Sequence, residues 1–331
     1  MGYIKKLFRI KDTLVSATGA ELSNIRKWML LIDYFIEHFI YGVTLIEYNQ
    51  YRFYWKSKPE RRKFVCFPEF EKIIEISNNK AFYKYFDNKP LFNKTFNQFM
   101  GRRWLDMTVT VEEDFQKLME ANNALFVKPI DGMCGRGAYV LWKNEIKNMT
   151  QTFQRLKKEK AIVEEVVCQH QEMAAFNDTS VNTLRVVTML KPDNQVQIMA
   201  ALVRLGRKGE VVDNFHNYGI AALIDIETGI IKTTGVDRDF KRYVLHPDSK
   251  KPIPGFQIPS WEKIVNTVTQ AAIIIPEVRY VGWDLAIGRN GEVIMIEGNK
   301  SADHDVTQVT DQEGKWSLYE CIIKELEEIR K

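Results

Sequence analysis

One stretch near the C-terminus constrains this chain more than any other: GWDLAIGRNGEVIMIEGN, from Gly282 to Asn299. Two apolar runs, Trp283 to Gly288 and Glu292 to Gly298, flank Arg289, Asn290 and Gly291, and Asn-Gly between such runs is the strongest short-range hairpin signal. A two-residue turn at Asn290 and Gly291 sets Arg289 opposite Glu292 and Asp284 opposite Glu297. Asn299 then shares their face, because strand side chains repeat every second residue. Carboxylates opposed at about 5 Å between Cβ atoms repel in an antiparallel ladder. A divalent cation removes that penalty, and Mg²⁺ takes the hard oxygen ligands that Asp, Glu and Asn supply. The hairpin therefore predicts a metal site at Asp284, Glu297 and Asn299.

A chain of 331 residues exceeds the usual single core, so two or three lobes are expected. The formal charge of +4 is mild and the charges are interspersed, which argues against a dedicated nucleic-acid binder. One local exception places Arg52, Lys56, Lys58, Arg61, Arg62 and Lys63 among Tyr51, Phe53, Tyr54 and Trp55. A solvated basic face is the plainer reading; contact with a phosphate-bearing substrate or an anionic membrane surface is the other. Cys66, Cys134, Cys168 and Cys321 form no CxxC pair, which fits a reducing compartment. The most apolar long window, Trp28 to Tyr48, carries Asp33, Glu37, His38 and Glu47, which are costly in lipid. It predicts a buried or amphipathic helix. The expected location is cytoplasmic, with membrane contact at most peripheral.

Along the chain, spacings of three and four from Ala20 to Trp55 predict helix. The segment from Phe64 to Met119 mixes short helices and turns, and beyond it strands alternate with helices. Strands are expected at residues 125–128, 138–142, 161–167, 182–190, 196–205, 221–225 and 229–234, and helices at 151–158, 261–272 and 318–330. This is an α+β plan with mixed antiparallel sheets.

The stretch LFVKPIDGMCGRGAYVLW puts Lys128 at a strand end, followed by Gly132, Gly135 and Gly137 and a second strand. Glycines let backbone N–H groups approach phosphate oxygens, and the lysine adds a point charge. The spacing fits neither a Walker A loop nor a dinucleotide fingerprint. Strand, glycine loop and strand predict a hairpin lid. Some 30 residues on, AIVEEVV carries Glu164 and Glu165 toward its close, and these are either acceptors for an adenine amino group and ribose hydroxyls or an exposed edge.

Taken in order, Lys94, the Lys128 strand with its glycine loop, the Glu164–Glu165 hinge and the set Asp284, Glu297 and Asn299 resemble an ATP-grasp enzyme over roughly residues 90 to 310. SVNTLRVVT (Ser180 to Thr188), VVDNFHNYGIAALID (Val211 to Asp225) and the closing hairpin resemble its sugar-transfer-associated branch, related to the α-L-glutamate ligases. The resemblance implies an ATP-grasp fold: an N-terminal mainly helical region at 1–90, a small lobe with the glycine lid at 91–166, and a large lobe with the Mg²⁺ site at 167–331. It implies ATP and Mg²⁺ as cofactors, Lys94 and Lys128 on the phosphates, Glu164 to Val167 on adenine and Gln171 near the ribose. Arg185, in NTLR, would lie near the transferred phosphoryl group; a sheet-surface salt bridge is its other reading.

The reaction implied joins a carboxylate to an amine through an acyl phosphate, on a sugar or cell-surface polysaccharide precursor. The alternatives are a kinase that phosphorylates a hydroxyl and a nucleotide-binding scaffold. His216, in DNFHN, is a candidate base for the incoming amine or a structural histidine, and Arg204 and Asn214 are further acceptor-pocket candidates. Two departures bear on the substrate: Asn217-Tyr218-Gly219 stands where relatives carry paired glycines, and Lys300 to Asp305 is unusually charged.

Overall fold

The computed structural model describes residues 2–131, 137–209 and 219–330. The chain divides into two units, Met1–Asn78 with Asp303–Lys331, and Asn79–Ala302.

The first unit opens with helices α1 (Gly2–Thr18), α2 (Asn24–Tyr41), α3 (Leu45–Gln50), α4 (Lys58–Arg61) and α5 (Phe67–Ser77). Helix α2 starts where the Ser23 side chain accepts from the Arg26 N–H and stops at Gly42, whose φ of 69° suits a left-handed cap. Thr44 and Glu47 form a capping box that starts α3. The acids of the apolar window are ion-paired inside the protein. Arg61 Nη1 lies 3.0 Å from both Asp33 Oδ1 and Glu37 Oε1, Arg62 also holds Glu37, and Tyr48 donates to Asp33 at 2.5 Å. Arg61, read as part of a solvated basic face, is therefore buried and structural.

The second unit holds two antiparallel sheets. The smaller follows helices α6 (Lys84–Asp87) and α7 (Lys89–Thr95) and is built from β1 (Trp104–Asp106), α8 (Glu112–Glu120), β2 (Ala124–Pro129), β3 (Tyr139–Trp142), α9 (Met149–Lys158) and β4 (Ala161–Glu165). Its order is β1-β4-β2-β3. Phe115, Leu118, Phe153 and Leu156 from the two helices pack on Leu125, Val127 and Val163, a core of its own.

After α10 (Gln171–Ala174) the larger sheet is built from β5 (Thr183–Leu190), β6 (Val196–Leu205), β7 (Ile220–Leu223), β8 (Gly235–Val236), β9 (Arg242–Tyr243), α11 (Trp261–Ala272), β10 (Tyr280–Ile287) and β11 (Val293–Asn299). The strand order is β11-β10-β5-β6-β7-β8-β9. Strand period two sends Leu184, Val186, Trp283 and Leu285 into a core shared with Ile264 and Val268 of α11. The intervening positions, Thr183, Arg185 and Asp284, face the other way. Helices α12 (Asp305–Asp311) and α13 (Trp316–Arg330) return to the first unit.

The α+β plan and the N-terminal helical region agree with expectation; several details differ. The first break falls after Asn78, not at 90, because Phe86 of α6 packs on Phe92, Phe96 and Trp283 of the second unit. Residues 303–331 leave the expected large lobe. The Gln308 side chain bonds Val65 N, Val65 O and Tyr51 OH at 2.9–3.1 Å, and Lys72 pairs with Glu327, so the C-terminal helices belong with the N-terminal ones. The strand expected at 229–234 is reduced to isolated bridges, Ile224 to Ile231 and Ile230 to Gln257.

Candidate active site

The hairpin reaches the expected pairing by a different route. Gly291, at φ 77°, closes a three-residue loop in which its N–H donates to Gly288 O at 3.0 Å and Gly288 pairs with Glu292. Gly supplies the left-handed residue that such a loop requires. The register beside the turn is thus one residue off the two-residue prediction, with Ile287 opposite Val293. A bulge at Ile296 restores it, and Asp284 stands opposite Glu297.

What offsets the carboxylate repulsion in this pair is arginine. Asp284 sits at 3% exposure between Arg185, its register partner on β5, and Arg204 on β6. Arg185 Nε bonds Oδ1 and its Nη2 lies 2.9 Å from Oδ2, while Arg204 Nη2 lies 2.7 Å from Oδ2. Arg204 Nε donates to Thr183 Oγ1 at 3.0 Å, which fixes the guanidinium plane. Burial pushes the Asp284 carboxyl up, and the two guanidiniums outweigh it, holding it well below the ordinary carboxylate range. Glu297 is exposed on the open sheet face, yet the protein around it, first by desolvation and then through the Asp284 charge, raises its carboxyl. Asn299 Nδ2 donates to Glu297 Oε1 at 3.1 Å. A cation is expected to relieve the pair; the structure adds that two arginines already serve Asp284, while Lys89 is a charge neighbour of Glu297.

A second cluster is centred on β4. Glu164, 2% exposed, accepts from Asn93 Nδ2 at 3.1 Å and Arg102 Nη2 at 2.7 Å, and Lys128 Nζ stands 2.6 Å away. Burial raises its carboxyl, and Lys128 and Arg102 carry it down to about 2. Arg102 Nη1 also donates to Met295 O at 2.6 Å, so one guanidinium ties the small sheet to β11. Glu164 is therefore neither an exposed edge nor a spare acceptor for adenine; its oxygens are saturated by cations and an amide.

The two clusters meet around Lys89. Its Nζ donates to Ile130 O at 2.7 Å and Pro129 O at 3.2 Å, where the glycine loop begins. Desolvation and the neighbouring Lys128 lower its pKa, against the pull of Glu297, Asp131 and Glu164. Lys94, the lysine singled out from sequence, is exposed on the last turn of α7. Five residues rotate a helix by about 140° beyond a full turn, so Lys94 points away from the side that Lys89 and Asn93 share.

The hinge places Glu165 against Arg103, Nε to Oε1 at 2.9 Å. Val167 is half-buried just past β4, and Gln171 is exposed at the first position of α10. The residue that anchors this turn is Gln169. Its amide donates to Asn177 O and Ser180 O, accepts from Asn182, and its backbone bridges Gly288 of the hairpin. Gly137 has φ 77° and a Cβ there would lie 3.3 Å from Pro129. Gly132, Gly135, Asn214 and His216 lie outside the described residues. Sequence inspection missed Lys89, Asn93, Arg102 and Gln169; the paired Arg102-Arg103 just before a strand was the one available signal.

Among the described residues no group of three or more His, Cys, Asp or Glu is arranged for a metal. Glu297 and Asn299 do suit a hard cation, with Asp284 beside them held by Arg185 and Arg204. They offer oxygen donors on one sheet face, and the raised Glu297 carboxyl is the group a cation would ionise.

Two antiparallel sheets joined through Arg102, one carrying a lysine and glycine loop and the other an acid-amide set on its open face, define the ATP-grasp class. Within that class, the chain belongs to the sugar-transfer associated ATP-grasp family, whose profile matches residues 71–323. Among solved structures, the ATP-grasp ligase PsnB complexed with minimal precursor is similar at 13% identity and a TM-score of 0.48, over 75% of this chain and 63% of PsnB. D-alanine–D-alanine ligase from Bacillus anthracis is similar at 12% identity and a TM-score of 0.41, over 76% of this chain and 68% of that one. The chain thus spans less than two thirds of the length of PsnB. No curated protein matches it.

Proposed function

We propose that the chain is an ATP-dependent ligase that joins a carboxylate to an amine through an acyl phosphate, with a sugar-linked precursor as one substrate. The observation that carries this reading is the pair Arg185 and Arg204, held on Asp284 and presented beside Glu297 and Asn299 on one face of the large sheet. Two guanidiniums fixed next to a cation-seeking carboxylate suit a site where a phosphoryl group carries charge from nucleotide to acceptor. Membership of a family named for sugar transfer supports the substrate class.

In this reading Lys128, with Gly132, Gly135 and Gly137, neutralises and shields the phosphates of ATP. Lys89, bonded to Pro129 and Ile130 and a charge neighbour of Glu297, takes the role first given to Lys94. Glu165 and the backbone to Val167, with Gln171, receive the nucleoside, since Glu164 is committed to Lys128 and Arg102. Glu297, Asn299 and Asp284 would hold Mg²⁺, which supplies charge neutralisation between the terminal phosphates. Arg185 and Arg204 orient the transferred group; Asn214 and His216 remain the acceptor-pocket candidates that the sequence offers, with His216 as the base for the amine proton. The work is positioning and charge neutralisation. The protein acts in the cytoplasm, on small molecules and without nucleic acid.

The test is mass spectrometry of products after incubation with MgATP, a panel of uronates and a panel of amino acids. ADP, phosphate and an amide, each dependent on both partners, are expected. A phosphorylated alcohol with no amide would overturn the ligase in favour of a kinase. If Glu297→Ala left cellular function whole, the scaffold would replace both.

A further inference from the structure

Helix α2 has two apolar faces, and among the described residues only one is covered. Leu30, Leu31, Tyr34 and Glu37 are buried, the last on Arg61. On the opposite side Ile25, Met29, Ile32, Ile36, Phe39 and Ile40 fall within an arc of about 100°, taking 100° per residue. Ile25 is 74% exposed, Met29 62%, Ile32 59%, Phe39 77% and Ile40 66%. At 1.5 Å per residue the stripe runs for about 22 Å. Apolar side chains scattered singly over a surface need no explanation, whereas a continuous row of six does. Trp28, 41% exposed, borders it, and such an amphipathic ring suits the level of lipid headgroups.

Charge decides what the stripe meets. Residues 1–63 contain twelve Lys and Arg against six Asp and Glu, a surplus of six in a chain whose total is only +4. The basic surplus and the apolar stripe thus share one segment, and the rest of the chain is slightly acidic. Lys5, Lys6 and Arg9 are exposed on α1, which packs along α2 through Phe8 and Trp28, ring centroids 5.9 Å apart. Lys11 Nζ caps that pair, 4.6 Å and 5.1 Å from the two ring centroids. Arg26 is exposed beside the N-terminal end of the stripe. Of the acids of α2, Glu37 is buried on Arg61 and Arg62, and Asp33, a third exposed, is neutralised by its ion pair with Arg61. No described helix is long and apolar enough to cross a membrane.

We propose that the outer face of α2, with the basic residues of α1, seats this protein on an anionic lipid surface, the helix lying in the plane of the headgroups. An apolar stripe supplies burial into the acyl boundary and the flanking lysines and arginines supply attraction to anionic lipid, the two terms that together hold an interfacial helix. The partner is a membrane rather than a protein groove because the stripe is straight, lined by large apolar side chains, and carried by a segment with a net basic surplus. The inference stands apart from the catalytic reading, since it uses none of the residues from 79 to 302.

Vesicle flotation of the full chain tests it. The expected result is binding to vesicles of phosphatidylcholine with about one third phosphatidylglycerol at low salt, weak binding to phosphatidylcholine alone, and loss as salt screens the basic residues. Ile32→Ser with Phe39→Ser lowers the partition coefficient at least about tenfold, given the apolar burial removed. Lys5→Gln with Lys6→Gln and Arg9→Gln lowers it by about fivefold for each charge and flattens the salt dependence. Circular dichroism and the melting temperature of both variants stay at the parent values, because the altered side chains are exposed. Equal partition of parent and variants overturns the proposal. So does a parent that ignores anionic vesicles but sediments as a dimer which Ile32→Ser with Phe39→Ser dissolves; that outcome assigns the stripe to a second copy of the chain.

Discussion

Asp284 and Glu164 play the same part in the two halves of the site: a buried carboxylate that holds two cations at fixed positions. For Glu164 the consequence is measurable. Its folded pKa of about 2 lies below the ordinary value of 4.5, so its stabilisation is present in full above pH 4.5 and is lost as pH falls toward 2. Glu164→Gln leaves Lys128 and Arg102 beside a neutral amide, a loss of about 3–5 kcal/mol. At pH 7 the melting temperature should fall by about 10 °C or more, and the deficit should shrink as both proteins are titrated toward pH 2. A deficit that stayed constant down to pH 2 would show that the charge is not the cause. The lysines separate in a second experiment. Calorimetric titration with ATP and Mg²⁺ should give an affinity at least about tenfold weaker for Lys89→Ala and within about twofold for Lys94→Ala. The reverse order would return the phosphate role to Lys94.

At the scale of elements, the hairpin shows what sequence carries and what it does not. Asn290-Gly291 announced the turn, and the alternation of apolar residues announced the strands. Neither could count the loop: three residues and a bulge at Ile296 give the same Asp284 to Glu297 pairing as two residues and none. Gly291 holds that count, at φ 77° with a Cβ position 2.7 Å from Ser260 Oγ. Gly291→Ala should therefore cost about 1–2 kcal/mol from the left-handed backbone alone. The unfolding midpoint in urea should drop with an unchanged slope, whereas an unchanged midpoint would mean the loop tolerates another turn type. Elements set by local pattern, such as α11 and β5, were legible. The strand expected at 229–234 was not, because strand propensity reports a half-buried surface and cannot name a partner. The same limit hid Arg102 and Gln169, whose roles arise from residues outside their own segments: Glu164 and Met295 for one, the turn from Asn177 to Asn182 and Gly288 for the other.

At the scale of the molecule, the unit containing both chain ends was the least legible feature, since nothing local in 303–331 says that it belongs with residues 2–78. The reason lies in a few polar contacts. Gln308 closes three hydrogen bonds on Val65 and Tyr51, His304 Nε2 lies 3.1 Å from Glu47 Oε1, and Phe70 stacks on His304 with ring centroids 4.4 Å apart. Each buried hydrogen bond contributes about 1 kcal/mol, but an orphaned partner costs about 1–3 kcal/mol, so removing the C-terminal segment penalises the N-terminal one repeatedly. Residues 79–302 hold two cores and keep both cation clusters complete within themselves. Expressed alone, 79–302 should unfold cooperatively on heating. The fragment 1–78 should show little cooperative helix by circular dichroism until a peptide of 303–331 is added, when ellipticity and hydrogen-exchange protection at Val65 should rise together. If 1–78 folds unaided with Val65 already protected, the contacts from α12 are ornament, and the N-terminal helices are a domain in their own right.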